Sequence, residues 1–192
     1  CTVQLNKYLS KKKLPLDSHL MAIAIVERDG KIVSSTNEKL IGKDMSDQEV
    51  FLHSKRMDYG TTYVKPRYAS YLPTNCILSS APIISQHSDE LLGILINAYC
   101  ITGLNEITTN RVGLGETGEV YLVNRDKVLI TESRFIGRAS LHLVVDTEPI
   151  RKIVERNKEM AGIYPDYRGV SVVGVSTDIP EYGWTLLTEK DK

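Results

Sequence analysis

The chain restates itself. Ile25-Val26-Glu27-Arg28-Asp29 lines up with Leu122-Val123-Asn124-Arg125-Asp126, and Leu40-Ile41-Gly42-Lys43 with Phe135-Ile136-Gly137-Arg138, at nearly constant separation. A repeat of this kind means that one small supersecondary unit occurs twice, each copy burying an apolar face of its own. Two copies of about 80 to 100 residues account for the length.

Local signals fill in each copy. Residues 21–26 form a continuous apolar run, Asp29-Gly30 supplies a hairpin turn, and 31–35 return with Ile32 and Val33. Ser46-Asp47-Gln48-Glu49 fits a capping box for a helix carrying Val50, Phe51, Ser54 and Met57, which stops before Gly60. Residues 61–64 read as a third strand, 66–74 as a tyrosine-rich loop, and 77–84 with 91–98 as a second hairpin across 85–90. The order is ββαβββ. A short helix over 102–111 leads to the second copy. There, strands 120–123 and 128–131 flank Arg125-Asp126, and a helix capped at Thr147, with Pro149 in its first turn, runs to Gly162. Strands 170–176 and 184–188 close the copy around Pro180-Glu181-Tyr182-Gly183. The fold class is α+β: two tandem antiparallel sheets flanked by helices, after an amino-terminal helix stub over residues 1–19, with units over 20–101 and 102–192.

Composition removes several functions. Lys and Arg number 24 and Asp and Glu 24, so there is no electrostatic footprint for nucleic acid. At 42% hydrophobic the chain is too apolar for disorder. The longest apolar stretch, 91–101, is broken by Asn97 and shorter than the roughly 20 residues a bilayer span needs. The chain opens on Cys1 without a basic-then-apolar leader and reads as a segment of something longer.

Cys1, Cys76 and Cys100 make no CxxC pair, and His19, His53, His87 and His142 show no ligand spacing, so neither metal nor cofactor is expected. Cys76 and Cys100 lie near the outer ends of two apolar runs, roughly opposite in the expected hairpin. A disulfide is open there, packing as two small buried hydrophobes being the favoured reading. Gly113-Leu114-Gly115-Glu116-Thr117-Gly118 matches GxGxxG, but a helix precedes it and a strand follows, the reverse of a dinucleotide site, so it reads as a turn between copies. No nucleophile elbow or catalytic constellation occurs, and the segment reads as non-catalytic. Lys11-Lys12-Lys13 reads as a solvated helix end, with a juxtamembrane or dimer-interface segment as the sharper alternative.

One cluster suggests chemistry: Tyr59, Tyr63, Lys65, Arg67, Tyr68 and Tyr71. Tyrosines offer an apolar wall with a polar tip, and an arginine among them can hold a carboxylate by two parallel N–H bonds. Tyr63, Arg67, Tyr68 and Tyr71, closed by the amide of Asn97 on the last strand, are the candidate ligand-binding residues for a small organic acid or polar metabolite. The competing reading is plain packing of tyrosines on the sheet. Tyr121, Tyr164, Tyr167 and Arg168 offer a second pocket in the second copy, with packing as the favoured role.

Taken together these residues resemble a known family, the double Cache (tandem PAS-like, or PDC) extracytoplasmic sensor domain of transmembrane receptors. In the first unit the resemblance rests on 24–33, on Leu40-Ile41-Gly42-Lys43-Asp44 and on Phe51. In the second it rests on 115–125, Ser133-Arg134-Phe135, Val145-Asp146-Thr147-Glu148-Pro149, Tyr167-Arg168-Gly169-Val170 and Ile179-Pro180-Glu181-Tyr182-Gly183-Trp184.

The resemblance implies a non-enzymatic ligand sensor outside the cytoplasm, tethered by spans on both sides of the segment. It further implies homodimerisation through the amino-terminal helix, a ligand in the membrane-distal first unit, and most often a histidine kinase output. Chemoreceptor and cyclase outputs carry the same domain, and a ligandless dimerisation or partner-binding module is the alternative. The amino-acid-binding branch of the family uses a Tyr/Arg/Trp/Tyr set and a strand Asp. Tyr63, Arg67 and Tyr68 match it only in part, no Trp stands among them and Asn97 replaces the Asp, which implies a ligand other than a free α-amino acid.

Overall fold

The computed structural model describes residues 2–58, 63–67, 75–110 and 112–192, with backbone alone at 63 and 65–67. The chain divides into two compact units, Cys1–Ile101 and Thr102–Lys192. Among the described residues no helix is long and apolar enough to cross a membrane.

The first unit opens with helix α1 (Thr2–Tyr8), continued by a π turn (Leu9–Lys13) and a 3-10 turn (Leu14–Leu16). Strands β1 (Leu20–Val26), β2 (Ile32–Ser35), β3 (Tyr63–Arg67), β4 (Cys76–Ile84) and β5 (Leu91–Cys100) form one antiparallel sheet in the order β2-β1-β5-β4-β3, with helix α2 (Glu49–Ser54) between β2 and β3. Alternation along β1 and β5 sends Ala22, Ala24, Val26, Ile94, Ile96 and Ala98 to one face, where Val50 and Phe51 of α2 and Leu40 and Met45 of the preceding loop cover them.

The first turn is built as its sequence predicts. Gly30 N–H donates to Glu27 O (2.9 Å) and Lys31 N–H to Asp29 Oδ1 (3.0 Å). Gly30 has a φ of +99°, and a Cβ there would lie 2.6 Å from the Ser46 backbone, so both conformation and space demand glycine. That contact also explains why the capping box does not form. Ser46 is held beneath Gly30, its N–H donates to Asp44 Oδ1 (2.8 Å), and the helix starts later, with Gln48 as its cap residue. It ends at Ser54, leaving Met57 outside.

The loop from β2 to α2 is clasped to the hairpin by three backbone bonds: Ile32 N–H to Lys43 O (2.9 Å), Gly42 N–H to Ile32 O (2.8 Å) and Met45 N–H to Gly30 O (2.7 Å). The second unit repeats the clasp with Leu129 N–H to Leu143 O (2.9 Å), Leu141 N–H to Leu129 O (2.7 Å) and Val145 N–H to Lys127 O (2.7 Å). The counterpart of Gly42 is therefore Leu141 and not Gly137. Both adopt left-handed backbone, φ +84° and +61°. The Leu-Ile-Gly-Lys and Phe-Ile-Gly-Arg match is out of step with the fold, because the second loop inserts extra residues before closing.

In the second unit helix α3 (Thr102–Thr108) precedes β6 (Glu119–Asn124), helix α4 (Glu148–Arg156), β7 (Met160–Pro165), β8 (Ser171–Ile179) and β9 (Trp184–Asp191), with sheet order β6-β9-β8-β7. Two expectations change here. Residues 128–131 contribute isolated bridges, Val123 with Leu129 and Val128 with Val144, where a full strand was expected. The Leu122 N–H is taken by the Thr131 hydroxyl (3.1 Å). Helix α4 stops at Asn157, whose left-handed backbone (φ +49°) caps it, and the chain reverses into β7, a strand the periodicity had absorbed into the helix. Thr147 is its cap residue without a side-chain hydrogen bond to the helix. Ile150 and Ile153 are fully buried, and Ile150 packs with Tyr121, Val123 and Leu187 of the sheet.

Replacing Gly30 by Ala is expected to cost roughly 2 kcal/mol or more, from strain at positive φ and the collision with Ser46. Gly137→Ala, at a position with ordinary φ and nothing within 4 Å, should leave stability unchanged or slightly raised. Calorimetric unfolding of the two variants side by side checks both statements.

Candidate ligand-binding site

Cross-strand register in the first unit defines alternating rows. One runs Ala24, Ile96, Ser80, Tyr63, and the next Ile23, Asn97, Ser79, Val64. At the sheet's end, Cys100 is opposite Cys76, which pairs with Arg67. On the face covered by α2, three alanines leave a small apolar cavity of about 30 Å³, lined by Ala22, Ala24, Ala98, Leu40 and Met45 among others. That is the space of one water molecule. At the edge of this interior Ser54 and Ser80 share a hydrogen bond (2.6 Å), and the Ser80 hydroxyl also donates to Val50 O (3.2 Å), tying α2 to the strand that pairs with β3.

Asn97 stands in the alternate row. Its side chain lines a half-open groove of about 400 Å³ beneath the amino-terminal segment, with Tyr8, Leu9, Lys13, Ile23 and Leu95. The register thus brings Tyr63 and Arg67 onto one strand, four pairs apart from each other along the sheet edge, and does not bring Asn97 into their rows. Tyr59, Tyr68 and Tyr71 lie outside the described residues.

The second unit holds a different interior. Glu119 and Glu189 are direct cross-strand partners, and both are buried. The Glu119 carboxylate accepts from Arg134 N–H (2.6 Å) and from the Tyr167 hydroxyl (2.5 Å), which also shares a hydrogen bond with the Ser133 hydroxyl (2.7 Å). A polar cavity of about 190 Å³, lined by Glu119, Glu132, Ser133, Arg134, Thr108 and Thr109 among others, opens beside it. Glu189 faces the hydroxyls of Tyr121 and Tyr164, which favour its charged form without reaching hydrogen-bond geometry. Burial dominates and, with the charges of Asp166 and Glu119, pushes its carboxyl from the usual 4.5 up to about 7. Burial first, and Glu189 next, drive both tyrosines far above the ordinary phenol range. Gly174, between Tyr164 and Glu189, makes the arrangement possible, since a Cβ there would collide with the Tyr164 hydroxyl.

Two tandem sheets of this topology are a recognisable pattern, and the sequence matches the family profile described as Cache domain over residues 2–192. The chain belongs to the Cache domain family. No curated protein matches its sequence. Among solved structures, the sensor domain of the V. cholerae histidine kinase DctB superposes with a TM-score of 0.70 at 14% identity, covering 100% of this chain and 79% of that one. The ligand-binding domain of the Pseudomonas aeruginosa PAO1 amino acid chemoreceptor PctC, solved with GABA, gives 0.71 at 14% identity, covering 100% and 82%. The periplasmic domain of RsbU from Chlamydia trachomatis gives 0.64 at 16%, covering 96% and 75%. At these identities the likeness is one of fold.

Within this Cache domain the tyrosines taken as packing residues do pack: Tyr121 and Tyr164 are buried, and Tyr167 meets Tyr121 edge to face at 5.4 Å. Arg168 pairs with Asp166 and Asp191 (2.6 Å each) over the Phe135 ring. What the sequence reading missed are the two carboxylates among them. The signal was present, since Glu119 is in phase with Tyr121 and Val123, and Glu189 with Leu187, on strands whose alternate residues point inward.

Because folding raises the Glu189 pKa, the folded unit binds that proton more tightly than the unfolded chain does. Its contribution is greatest below about pH 4.5 and is lost as pH rises through 7. Thermal unfolding should show the second unit losing up to roughly 3 kcal/mol between pH 4.5 and 8 from this group, and Glu189→Gln should flatten that slope. An unchanged slope in the variant would assign the pH dependence elsewhere.

Proposed function

We propose that this Cache domain is the extracytoplasmic ligand-sensing part of a membrane-tethered receptor with a histidine kinase output. Its ligand is a small polar or carboxylate-bearing metabolite bound in the first, membrane-distal unit, by Arg67 with Tyr63, Tyr68 and Tyr71. The observation that carries this reading is the family match across both units. It is supported by solved relatives of the same fold that are sensor and ligand-binding domains of a histidine kinase and a chemoreceptor, one of them holding GABA. Asn97, in the alternate row, is left out of the proposed ligand contacts on the support of its place in the groove beneath the amino-terminal segment.

The amino-terminal helix is the proposed homodimer contact, supported by the strong exposure of Val3 and Leu16 and the partial exposure of Tyr8. Ligand binding in the distal unit would bias the relation of two such helices and so set the output. A specific observation favours a second reading, a ligandless dimerisation module. Among the described residues, the cavity under the first unit's covering segment is about 30 Å³, too small for an organic acid.

A thermal-shift panel of organic acids, amino acids, amines and nucleosides tests the choice. An organic acid at about 100 times its Kd should add roughly 2.7 kcal/mol of stability. Arg67→Ala should abolish that shift while leaving the unliganded melting temperature in place. Binding that survives the substitution would refute the arginine grip, and silence across the panel would favour the dimerisation module.

A further inference from the structure

Cys76 and Cys100 are the terminal pair of the β4–β5 ladder and face each other directly. The phase of the pair follows from its hydrogen bonds. The Cys100 N–H donates to His19 O (2.7 Å), on the β1 side, so its amide edge is turned away from β4. The flanking Ile101 N–H instead reaches Asn75 O (3.4 Å) on the β4 side. Cys76 and Cys100 are therefore a non-hydrogen-bonded antiparallel pair, the type that brings Cα atoms to about 4.5 Å with both side chains on one face. Disulfides span Cα separations of about 4.4 to 6.8 Å, so the pair is within range but at its short end, where the bond is strained and reducible.

We propose that Cys76 and Cys100 form a reversible cross-strand disulfide, a redox-controlled clamp at the end of the first unit's sheet. Exposure sets the order of events, since Cys76 is fully buried and Cys100 is partly open. The Cys100 thiolate attacks a disulfide oxidant, a small-molecule disulfide or a protein dithiol oxidase, forming a mixed disulfide and releasing one oxidant thiol. The Cys76 thiolate then attacks the Cys100 sulfur and expels the second thiol. Two cysteine thiols are oxidised, one oxidant disulfide is reduced to two thiols, and the protons pass to them and to solvent.

The clamp sits where it matters for the unit. Cys76 is the backbone partner of Arg67, and Cys100 is followed by Ile101, the last residue before α3. Locking the strands there fixes the edge on which β3 pairs and the point at which the chain leaves the unit. The proposal draws on the extracytoplasmic reading only for an oxidising compartment, and the pairing itself requires no ligand.

The test equilibrates the chain, without ligand, in glutathione buffers from a cytosol-like to a secretory-compartment-like poise, followed by thiol alkylation and peptide mass mapping. A peptide joining Cys76 to Cys100, lighter by two hydrogens, should appear at the oxidising end and vanish at the reducing end. Oxidation should raise the melting temperature of the wild type by about 5 °C, and Cys100→Ser should lose that dependence. Two alkylated thiols at every poise, or a link through Cys1 in place of this pair, overturns the pairing. A crosslink that persists at the reducing end overturns its reversibility. A failed ligand screen would leave each of these outcomes readable.

Discussion

Three backbone hydrogen bonds fasten the long connection of each unit to the outer edge of its hairpin, and the rest of each unit depends on them. An antiparallel sheet of this size buries one face only if something is held over it, and the helices that do so, α2 and α4, are too short to be stable alone. The clasp supplies the missing constraint. It pairs an edge that would otherwise expose amide groups, and it delivers the chain to the start of the covering helix. Gly30 and Lys127, which accept its last bonds, occupy matching turns with left-handed backbone.

This explains which parts of the fold were legible in the sequence. Hairpins were readable because their signals are local: an Asp-Gly turn, an alternating run, a Pro-Glu-Tyr-Gly bend. The repeat was readable for the same reason at its first segment and misleading at its second. Gly42 and Leu141 hold the same bond and the same backbone conformation but share no residue type, while Gly137 resembles Gly42 and does a different job. The capping box at Ser46 failed for a tertiary reason, the close approach of Gly30. The start of strand β7 was hidden because the expected helix was carried on to Gly162, whereas Asn157, which is not a glycine, turns the chain in left-handed backbone and the strand begins at Met160.

The candidate site was legible only as chemistry. Residue types named Arg67 and its tyrosines, and register alone showed that Asn97 belongs to the alternate row. The paired carboxylates Glu119 and Glu189 show the opposite failure: charged residues are usually assigned to surfaces, and inward phase on a strand was the overlooked clue. The two interiors consequently differ in kind. Both hold aliphatic residues, but the second adds buried tyrosines and two buried glutamates where the first has alanines. Repetition of a backbone has not meant repetition of its contents.

The three alanines facing α2 have a mechanical meaning as well. A void of about 30 Å³ per molecule is about 18 mL per mole, near the lower end of the volume changes that accompany unfolding of whole domains. Hydrostatic pressure does work on such volume and not on well-filled space. The first unit thus carries a small apolar reserve of volume between its sheet and the loop bearing Leu40 and Met45, on which pressure can act.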